Sequence, residues 1–345
     1  MNQGRRQAAL PCDRRKGEDM SETKPQDFWL NVRFDMRCPA FGTPARTLYP
    51  EAVRMAEYCD RHGFHTALLS EHHGSEDGYD PSPMVLGAAI AARTTRMSLL
   101  FGAMILPLHD PVRMAEDIAV LDNLSGGRVM LAIVGGYVAA EFRMFGRDLK
   151  DRGRLVEEGV DVLRKAWTGE RFDYNGRPVL VRPRPVQEHI PIILGGSSKA
   201  AARRAGRIAD GFMTHLPELY QVYYDEAERR GRNPPPFTRP APTFVHVTHD
   251  PDRVWEQIMP HALHETNAYG AWQDEAGVEG SFRSLPTADV LRASGDYQVV
   301  TPQQCIELAR RNGRLDMHPL MAGMNPELGW ESLELFVAEV LPHLR

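Results

Sequence analysis

Short runs of apolar residues alternate with amphipathic segments along most of this chain. Runs of strand length, apolar at most positions, stand at 29–34, 66–70, 97–101, 128–134, 190–194, 211–214, 241–248 and 315–322. Between these runs, apolar residues recur at helical spacing, as Ala52, Val53, Ala56 and Cys59 do. This second pattern predicts helices at 48–62, 83–93, 111–124, 155–167, 198–208, 218–230, 252–266, 301–312 and 327–344.

The order of these elements predicts a closed barrel. Strands that are apolar on both faces are typical of a parallel sheet with helices on each side. About eight strands, each followed by a helix across residues 28–345, favour an α/β fold of the (β/α)8 TIM barrel class with insertions. An open doubly wound sheet is the alternative, but the GxGxxG turn expected after its first strand is missing.

Two segments depart from the alternation. Residues 1–27 are polar and irregular, which predicts a disordered N-terminal extension, and Met20 is an alternative start to Met1. Residues 268–300 show no clear periodicity and predict an irregular insertion in the barrel domain. Its aromatic residues make it a candidate mobile lid over the site, with a disordered insertion as the alternative: Trp272, Phe282 and Tyr297.

Charge and composition exclude several classes of function. The chain has 41 Lys and Arg against 46 Asp and Glu, a net charge of −5, and no basic block, so nucleic acids and anionic membranes are not expected partners. No apolar run has the length of a membrane span, and no apolar signal core stands near the N-terminus. The four cysteines are far apart and form no CxxC, which is typical of free thiols in the cytoplasm.

Reactive groups in a barrel belong at the carboxyl ends of its strands. The second strand ends in Ser70, Glu71, His72 and His73, and a histidine there is a candidate general base or hydrogen-bond donor. Successive residues of a strand point to opposite sides, so His72 and His73 are not both expected to face the barrel centre. Adjacent ligand types rarely chelate one ion, and HxH and HExxH spacings are missing, so no metal is expected.

Small and polar residues follow three further strands: Gly102 and Ala103, then Gly135, Gly136 and Tyr137, and finally Gly195, Gly196, Ser197 and Ser198. Glycines let a flat ligand approach the backbone closely. The last group precedes a helix, where backbone N–H groups, hydroxyls and the helix dipole favour an anion. Together they predict a planar cofactor with a phosphate tail, although a plain turn or a serine cap explains each feature taken alone.

These same residues carry a resemblance to a known family. The matching segments are LLSEHH ending at His73, ILPLHDPVRMAEDIAVLDNLSGGR at 105–128, the run from Glu141 to Gly146, PIILGGSSKAAARRAGRIADG at 191–211, and two segments near the C-terminus at 301–310 and 332–344. Over about residues 29–345, with a weak stretch at 232–300, the chain resembles the bacterial luciferase-like flavin-dependent monooxygenases.

The resemblance implies a (β/α)8 barrel that binds reduced FMN and uses O2, or in one branch of the family the deazaflavin F420. It places His72 at the active-site histidine near the flavin ring, and residues 195–198 at the phosphate loop. It also implies a cis peptide bond at Gly102–Ala103, in a bulge that supports the isoalloxazine. One departure is that bacterial luciferase has an arginine near the phosphate where this chain has Gly135, so the phosphate would need either another cation or backbone donors alone.

The function implied is that of a monooxygenase acting on a small-molecule substrate, with FMN reduced by a separate flavin reductase. Family members usually form homodimers through barrel helices, for which 82–94 and 110–124 are candidates. The first alternative is an F420-dependent hydride-transfer enzyme, which the scarcity of basic residues at the strand ends disfavours. The second is a non-catalytic flavin-binding barrel. Arg37 is either a substrate or cofactor contact or part of a surface salt bridge.

Overall fold

A single parallel sheet organises the molecule. The computed structural model describes residues 28–237, 242, 244–277, 284–285 and 287–345. In that part of the chain nine parallel strands pair in the spatial order β10-β9-β11-β1-β2-β3-β4-β7-β8. They are β1 (Trp29–Phe34), β2 (Thr66–Leu69), β3 (Ser98–Ile105), β4 (Val129–Val134), β7 (Ile192–Gly195), β8 (Gly211–Met213), β9 (Phe244–Val247), β10 (Tyr297–Val300) and β11 (Arg314–Met317). A separate antiparallel hairpin is formed by β5 (Phe172–Tyr174) and β6 (Arg177–Val179).

Helices connect the strands and confirm the predicted α/β alternation. They are α1 (Ala45–Arg61), α2 (Pro83–Arg93), α3 (Pro111–Ser125), α4 (Ala139–Met144), α5 (Arg152–Trp167), α6 (Lys199–Ile208), α7 (Pro217–Glu228), α8 (Pro251–Ala276), α9 (Ala288–Ser294), α10 (Pro302–Asn312) and α11 (Pro326–Leu335). All eight predicted strands lie in the parallel sheet, although several of their ends differ from the predicted positions. None of the described helices is long and apolar enough to cross a membrane.

Local sequence signals fix several helix starts. Asp110 caps α3 by accepting the backbone N–H groups of Val112 and Arg113, and Pro111 occupies the first turn. Ser198 caps α6 in the same way through Ala201 N–H. Helix α6 therefore begins directly after the glycine-rich turn that follows β7, as the sequence predicts.

Strand β1 separates an apolar layer from a polar interior. Leu30, Val32 and Phe34 belong to the main apolar cluster between sheet and helices. The alternate side chains of Asn31 and Arg33 instead hydrogen bond to Asp316 of β11 and Tyr269 of α8. Polar side chains therefore lead from the inner face of β1 toward the carboxyl ends of the strands.

The prediction that residues 268–300 are irregular is wrong for most of the described part. Helix α8 continues to Ala276, α9 follows, and Tyr297 begins β10, which pairs with β9. Phe282 lies outside the described residues. Asn267 and Gly270 weaken the helical pattern in the sequence, but burial of Tyr269 and Gln273 against the barrel overrides that local preference.

Candidate functional site

His72 follows β2 and is held by a buried carboxylate. Its Nδ1 lies 2.8 Å from Glu141 Oε1, and the same oxygen accepts the backbone N–H of His73 at 2.9 Å. Glu141 is 1% exposed and comes from α4, just beyond β4. Because an ionised carboxylate only accepts hydrogen bonds, the proton lies on Nδ1 of His72. In the neutral imidazole, Nε2 is then free to accept a proton.

Aromatic side chains surround the His72 ring. Trp272 lies closest, with ring centroids 4.5 Å apart, and Tyr79 is at 4.9 Å. Tyr269 and Tyr137 stand farther away, at 5.8 and 6.1 Å. The predicted site residue Tyr137 thus meets His72, together with two side chains of α8. These rings limit the access of water to the imidazole.

His73 has a different carboxylate partner, Glu71. Glu71 Oε1 is 2.9 Å from His73 Nε2 and 2.7 Å from His109 Nε2, and Oε2 accepts Ile105 N–H at 2.6 Å. Burial alone would raise the pKa of Glu71, but hydrogen bonds from His109 and His73 lower it to about 2. Burial would likewise lower the pKa of His109, but the hydrogen bond and the charge of Glu71 raise it. Glu71 and His109 therefore form an ion pair in which the carboxylate is buried and the imidazole is partly exposed.

Two clusters of metal-ligating side chains occur among the described residues. They are Glu71, His73 and His109, and a deeper group of Asp35, Glu265 and His318. In the first cluster, Nε2 of His73 and Nε2 of His109 both lie at hydrogen-bonding distance from Glu71 Oε1. Hydrogen bonds therefore account for the close approach of these side chains without a metal ion. The sequence offered Glu71, His72 and His73 as ligand types, whereas the structure groups Glu71 with His73 and His109.

The residue that follows β2, Ser70, contacts a bulge within β3. The Gly102–Ala103 peptide bond is cis, as the resemblance implies, and Ser70 Oγ donates to Gly102 O at 2.8 Å. Pairing with β4 shifts register between Gly102 and Met104. A Cβ at Gly102 would lie 2.9 Å from a methyl group of Leu68. The backbone at Gly102 and Ala103 thus bulges directly beside the strand that ends in His72.

The glycines after β4 and β7 lie at one edge of the sheet. Register pairs Ile133 with Leu194, so Gly135 and the 195–198 turn are neighbours. A Cβ at Gly195 would lie 2.8 Å from Val134 Cγ1, and one at Gly196 only 2.5 Å from Ala201 Cβ. Ser197 and Ser198 are exposed at the mouth of this turn. At Gly136, φ is +75° and Ile105 and Phe142 leave no room for a side chain.

An arginine stands beside Gly135, where the sequence left the phosphate site without a cation. A Cβ at Gly135 would lie 3.5 Å from the aliphatic carbons of Arg152, the first residue of α5. Its guanidinium donates to Leu149 O at 2.9 Å and is exposed. The sequence left open which group replaces the missing arginine, and Arg152 is a candidate that only the fold brings to this strand end.

Arg37 is buried and takes no part in a surface salt bridge, so that interpretation is wrong. Its side chain is 0% exposed and pairs through Nη1 with Asp77. The guanidinium carbon lies 4.6 Å from the Tyr79 ring centroid, 4.8 Å from Tyr269 and 4.9 Å from Trp272. Burial opposes ionisation of Asp77, but a hydrogen bond from His264 and the charge of Arg37 hold its pKa well below the usual range.

Comparison with known proteins identifies the family of this chain. The family model described as luciferase-like monooxygenase matches residues 32–314. The chain belongs to the luciferase-like monooxygenase family.

Individual relatives of this luciferase-like protein differ in cofactor. An F420-dependent glucose-6-phosphate dehydrogenase of Nakamurella multipartita is 27% identical over 86% of this chain and 92% of its own. The uncharacterized protein y4wF of Sinorhizobium fredii is 34% identical over 171 residues, which are 48% of this chain and 50% of the relative. The oxygenating constituent of 3,6-diketocamphane monooxygenase from Pseudomonas putida, solved with FMN, superposes with a TM-score of 0.69, at 20% identity, over 92% of this chain and 98% of its own.

The family match confirms the predicted TIM barrel and places this luciferase-like protein among flavin- or F420-dependent oxidoreductases. Sequence reasoning named His72, Tyr137 and the glycine turns as candidate site residues, but it assigned no role to Glu141, His109 or Arg152. Glu141 stood in a segment that carried the resemblance, which was a usable signal. The other two needed the fold, because their partners lie far away in sequence.

Proposed function

We propose that this protein is a monooxygenase that uses reduced FMN and O2 to oxidise a small organic substrate. A separate flavin reductase supplies the reduced flavin. The observation that carries the proposal is the contact of His72 Nδ1 with the buried Glu141, because it fixes the tautomer of an imidazole two residues beyond Ser70, whose hydroxyl binds the Gly102–Ala103 bulge. A positioned imidazole with an available Nε2 is suited to proton transfer at a bound redox ring.

The residues present fit such a cofactor. The bulge at Gly102 and Ala103 and the glycine pair at 135–136 carry almost no side chain of their own, so a flat ring can approach their backbone on the sides that Leu68, Ile105 and Phe142 do not fill. The exposed 195–198 turn offers N–H groups and hydroxyls at the start of α6 to a phosphate. Arg152, beside Gly135, adds a cation at the same edge. We assign the ring to the first two features and the phosphate to the others.

The protein's own part in catalysis follows from the site. Reduced FMN would supply the electrons that activate O2. His72 accepts or returns a proton at Nε2, while Glu141 holds the opposite nitrogen and stabilises the imidazolium that forms. Tyr137, Tyr269 and Trp272 exclude water around that imidazole.

F420 is the second candidate cofactor, and the Nakamurella relative supports it. F420 has a longer acidic tail than FMN, so its site needs more free cations. Around the 195–198 turn, Arg204 and Arg207 are engaged by Glu157, which leaves Lys199, Arg203 and the exposed Arg152 as the nearby basic groups. Three basic groups are few for the long acidic tail of F420, so this arrangement favours the single phosphate of FMN.

Equilibrium binding of FMN and F420, followed by fluorescence, tests the proposal. We expect FMN to bind with a dissociation constant in the micromolar range and F420 to bind about tenfold or more weakly. The reverse order would select the F420-dependent enzyme, and failure of both to bind would contradict a cofactor at this site. A non-catalytic flavin-binding barrel predicts instead that His72→Ala leaves the oxidation of reduced FMN by O2 unchanged.

We also propose that the protein forms a homodimer through α2 and α3. Val85 of α2 and Val120 and Leu124 of α3 are 73%, 53% and 51% exposed, an unusual cost for apolar side chains unless a partner covers them. Light scattering after size-exclusion chromatography tests the proposal. We expect a dimer that Val120→Glu converts to monomer, whereas a monomeric parent protein would contradict it.

A further inference from the structure

Arg37 carries donors that the described residues do not use. It lies three residues beyond β1, where its backbone N–H binds Asp35 Oδ1 at 3.1 Å. Of its side-chain nitrogens, Nη1 binds Asp77, whereas Nε and Nη2 have no acceptor within the described part of the chain. A buried guanidinium normally has its N–H groups satisfied.

The two unused nitrogens form one edge of the guanidinium. Nη1 stands on the side of Cδ, so the N–H of Nε and one N–H of Nη2 point away from it and run nearly parallel. This edge is the fork that receives two oxygens of a carboxylate in a bidentate pair. We call Nε and Nη2 the open edge of Arg37.

The surroundings of the open edge are aromatic. Tyr79, Tyr269 and Trp272 all lie within 5 Å of the guanidinium carbon. The hydroxyls of Tyr79 and Tyr269 bond to each other at 2.7 Å, and Arg33 donates to Tyr269. The rings therefore offer faces to Arg37, and a flat unsaturated ligand would find matching surfaces there.

The open edge is also close to His72. The indole of Trp272 contacts both groups, with its ring 4.5 Å from the His72 ring and 4.9 Å from the Arg37 guanidinium carbon. Tyr79 and Tyr269 also lie near both groups, so the imidazole and the guanidinium share one aromatic cluster. Because Arg37 is fully buried, a ligand reaches the edge only when a covering side chain moves, and Trp272, near the last turn of α8, is the one ring of the three that is partly exposed.

Charges around Arg37 come from several elements. Asp77 pairs with Arg37 and with His264, and Asp35, which binds the Arg37 backbone, leads to a buried group of His318, Glu265 and Arg33. The carboxylate of Asp77 accepts hydrogen bonds from His264 and Ser75 as well as from Arg37, and it binds only Nη1 of the guanidinium. The N–H groups of Nε and Nη2 still lack acceptors, and two acceptor atoms in the plane of the guanidinium would satisfy both.

We propose that the open edge of Arg37 binds the carboxylate of the substrate, and that the substrate class is a small aromatic or unsaturated carboxylic acid. The carboxylate anchors at Nε and Nη2, and the unsaturated portion takes the place of the Trp272 indole beside His72. Arg37 is then the residue that determines specificity for an acid. This inference rests on the proposed function, since it names the substrate class of the same site.

Benzoate is the probe, and benzamide is its neutral match in shape. Binding to the full chain is measured by calorimetry, with and without FMN, and by tryptophan fluorescence. We expect benzoate to bind about tenfold or more tightly than benzamide and to change the emission of Trp272. Trp272→Phe should remove the emission change while benzoate still binds.

Arg37→Lys keeps the charge next to Asp77 but removes the fork, and we expect it to weaken benzoate binding about tenfold without changing FMN binding. Arg37→Met combined with Asp77→Asn avoids an unpaired buried charge and should bind benzoate no better than benzamide. Arg46→Met, at an exposed position of α1, is the control and should bind as the parent protein does.

Equal binding of benzoate and benzamide, no binding of benzoate, or unchanged affinity in Arg37→Lys would overturn the inference. Loss of FMN binding in Arg37→Lys would also overturn it, because the open edge would then hold the flavin. Failure of the proposed function looks different, since neither FMN nor F420 would bind even to the parent protein while benzoate binding remained measurable.

Discussion

His72 Nδ1 lies 2.8 Å from Oε1 of Glu141, and the same oxygen holds the backbone N–H of His73. One carboxylate oxygen thus fixes both the ring and the backbone after β2. The other oxygen, Oε2, is buried without a partner among the described residues. An acidic group on a short helix after β4 therefore sets the tautomer of an imidazole after β2, and it does so 69 residues away in sequence.

His72→Ala should slow the oxidation of bound reduced FMN by O2 about 100-fold or more, because the positioned proton acceptor is lost. Glu141→Gln should slow it about 10-fold, since a neutral amide still accepts from Nδ1 but stabilises the imidazolium less. Stopped-flow absorbance over a range of pH measures both rates. Glu76→Gln, at an exposed position, is the control. Unchanged rates and pH profiles in both site variants would remove His72 from the reaction.

Arg152→Met should weaken FMN binding about tenfold and leave riboflavin binding unchanged, because riboflavin has no phosphate. Its side chain lies against Gly135, at the same sheet edge as the 195–198 turn. Fluorescence titration with the two flavins measures the difference. Arg154→Met removes a nearby exposed arginine that pairs with Glu158, and it should change neither affinity. An equal loss for both flavins would show that Arg152 supports the fold rather than the phosphate.

The carboxyl ends of the strands were predictable from the sequence because runs of apolar residues end there in glycine, serine or histidine. Residues 102–103, 135–137 and 195–198 belong to or follow the neighbouring parallel strands β3, β4 and β7, so they lie at the same end of the sheet. Glu141 and Arg152 lie on helices, where the sequence does not distinguish a charged residue at a site from one exposed to solvent. Arg37 reads as a surface residue because its burial depends on Tyr269 and Trp272, which are more than 200 residues farther along the chain.

The ion pair of Glu71 and His109 predicts a stability that depends on pH. The pKa of Glu71 is lowered from 4.5 to about 2, so its contribution is present above pH 4.5 and is lost as the pH falls toward 2. The pKa of His109 is raised above 6.5, so its contribution is present below pH 6.5 and is lost as the pH rises through the raised value. The full contribution of the pair therefore lies between pH 4.5 and 6.5.

His109→Gln should lower the free energy of unfolding by about 1–3 kcal/mol in that window, and the difference should shrink as the pH rises through the raised pKa of His109. Urea unfolding at several pH values measures it. His343→Gln, at an exposed position, should give a small difference without this pH dependence. A deficit in His109→Gln that stays constant from acid to alkaline pH would argue against the ion pair.

The contribution of Asp80 to stability depends on pH with the sign opposite to that of Glu71. Burial raises its pKa from 3.8 to about 6, and Oδ2 has no partner among the described residues. Its contribution is present below pH 3.8 and is lost as the pH rises through 6. Asp80→Asn cannot ionise, so relative to the parent protein it should gain up to about 3 kcal/mol of stability over this range.

Urea unfolding between about pH 4 and pH 8 measures that gain. Asp161→Asn, which removes an exposed carboxylate paired with Lys165, should not gain stability with rising pH. If Asp80→Asn followed the parent protein in parallel across the whole range, Asp80 would ionise normally in the fold.

The location of bound FMN tests the central claim most directly, and a crystal of the full chain soaked with FMN would measure it. We expect the isoalloxazine against Gly102 and Ala103 with His72 at its edge, and the phosphate in the 195–198 turn within reach of Arg152. An empty turn, with His72 in contact with no part of the ligand, would contradict the proposed site.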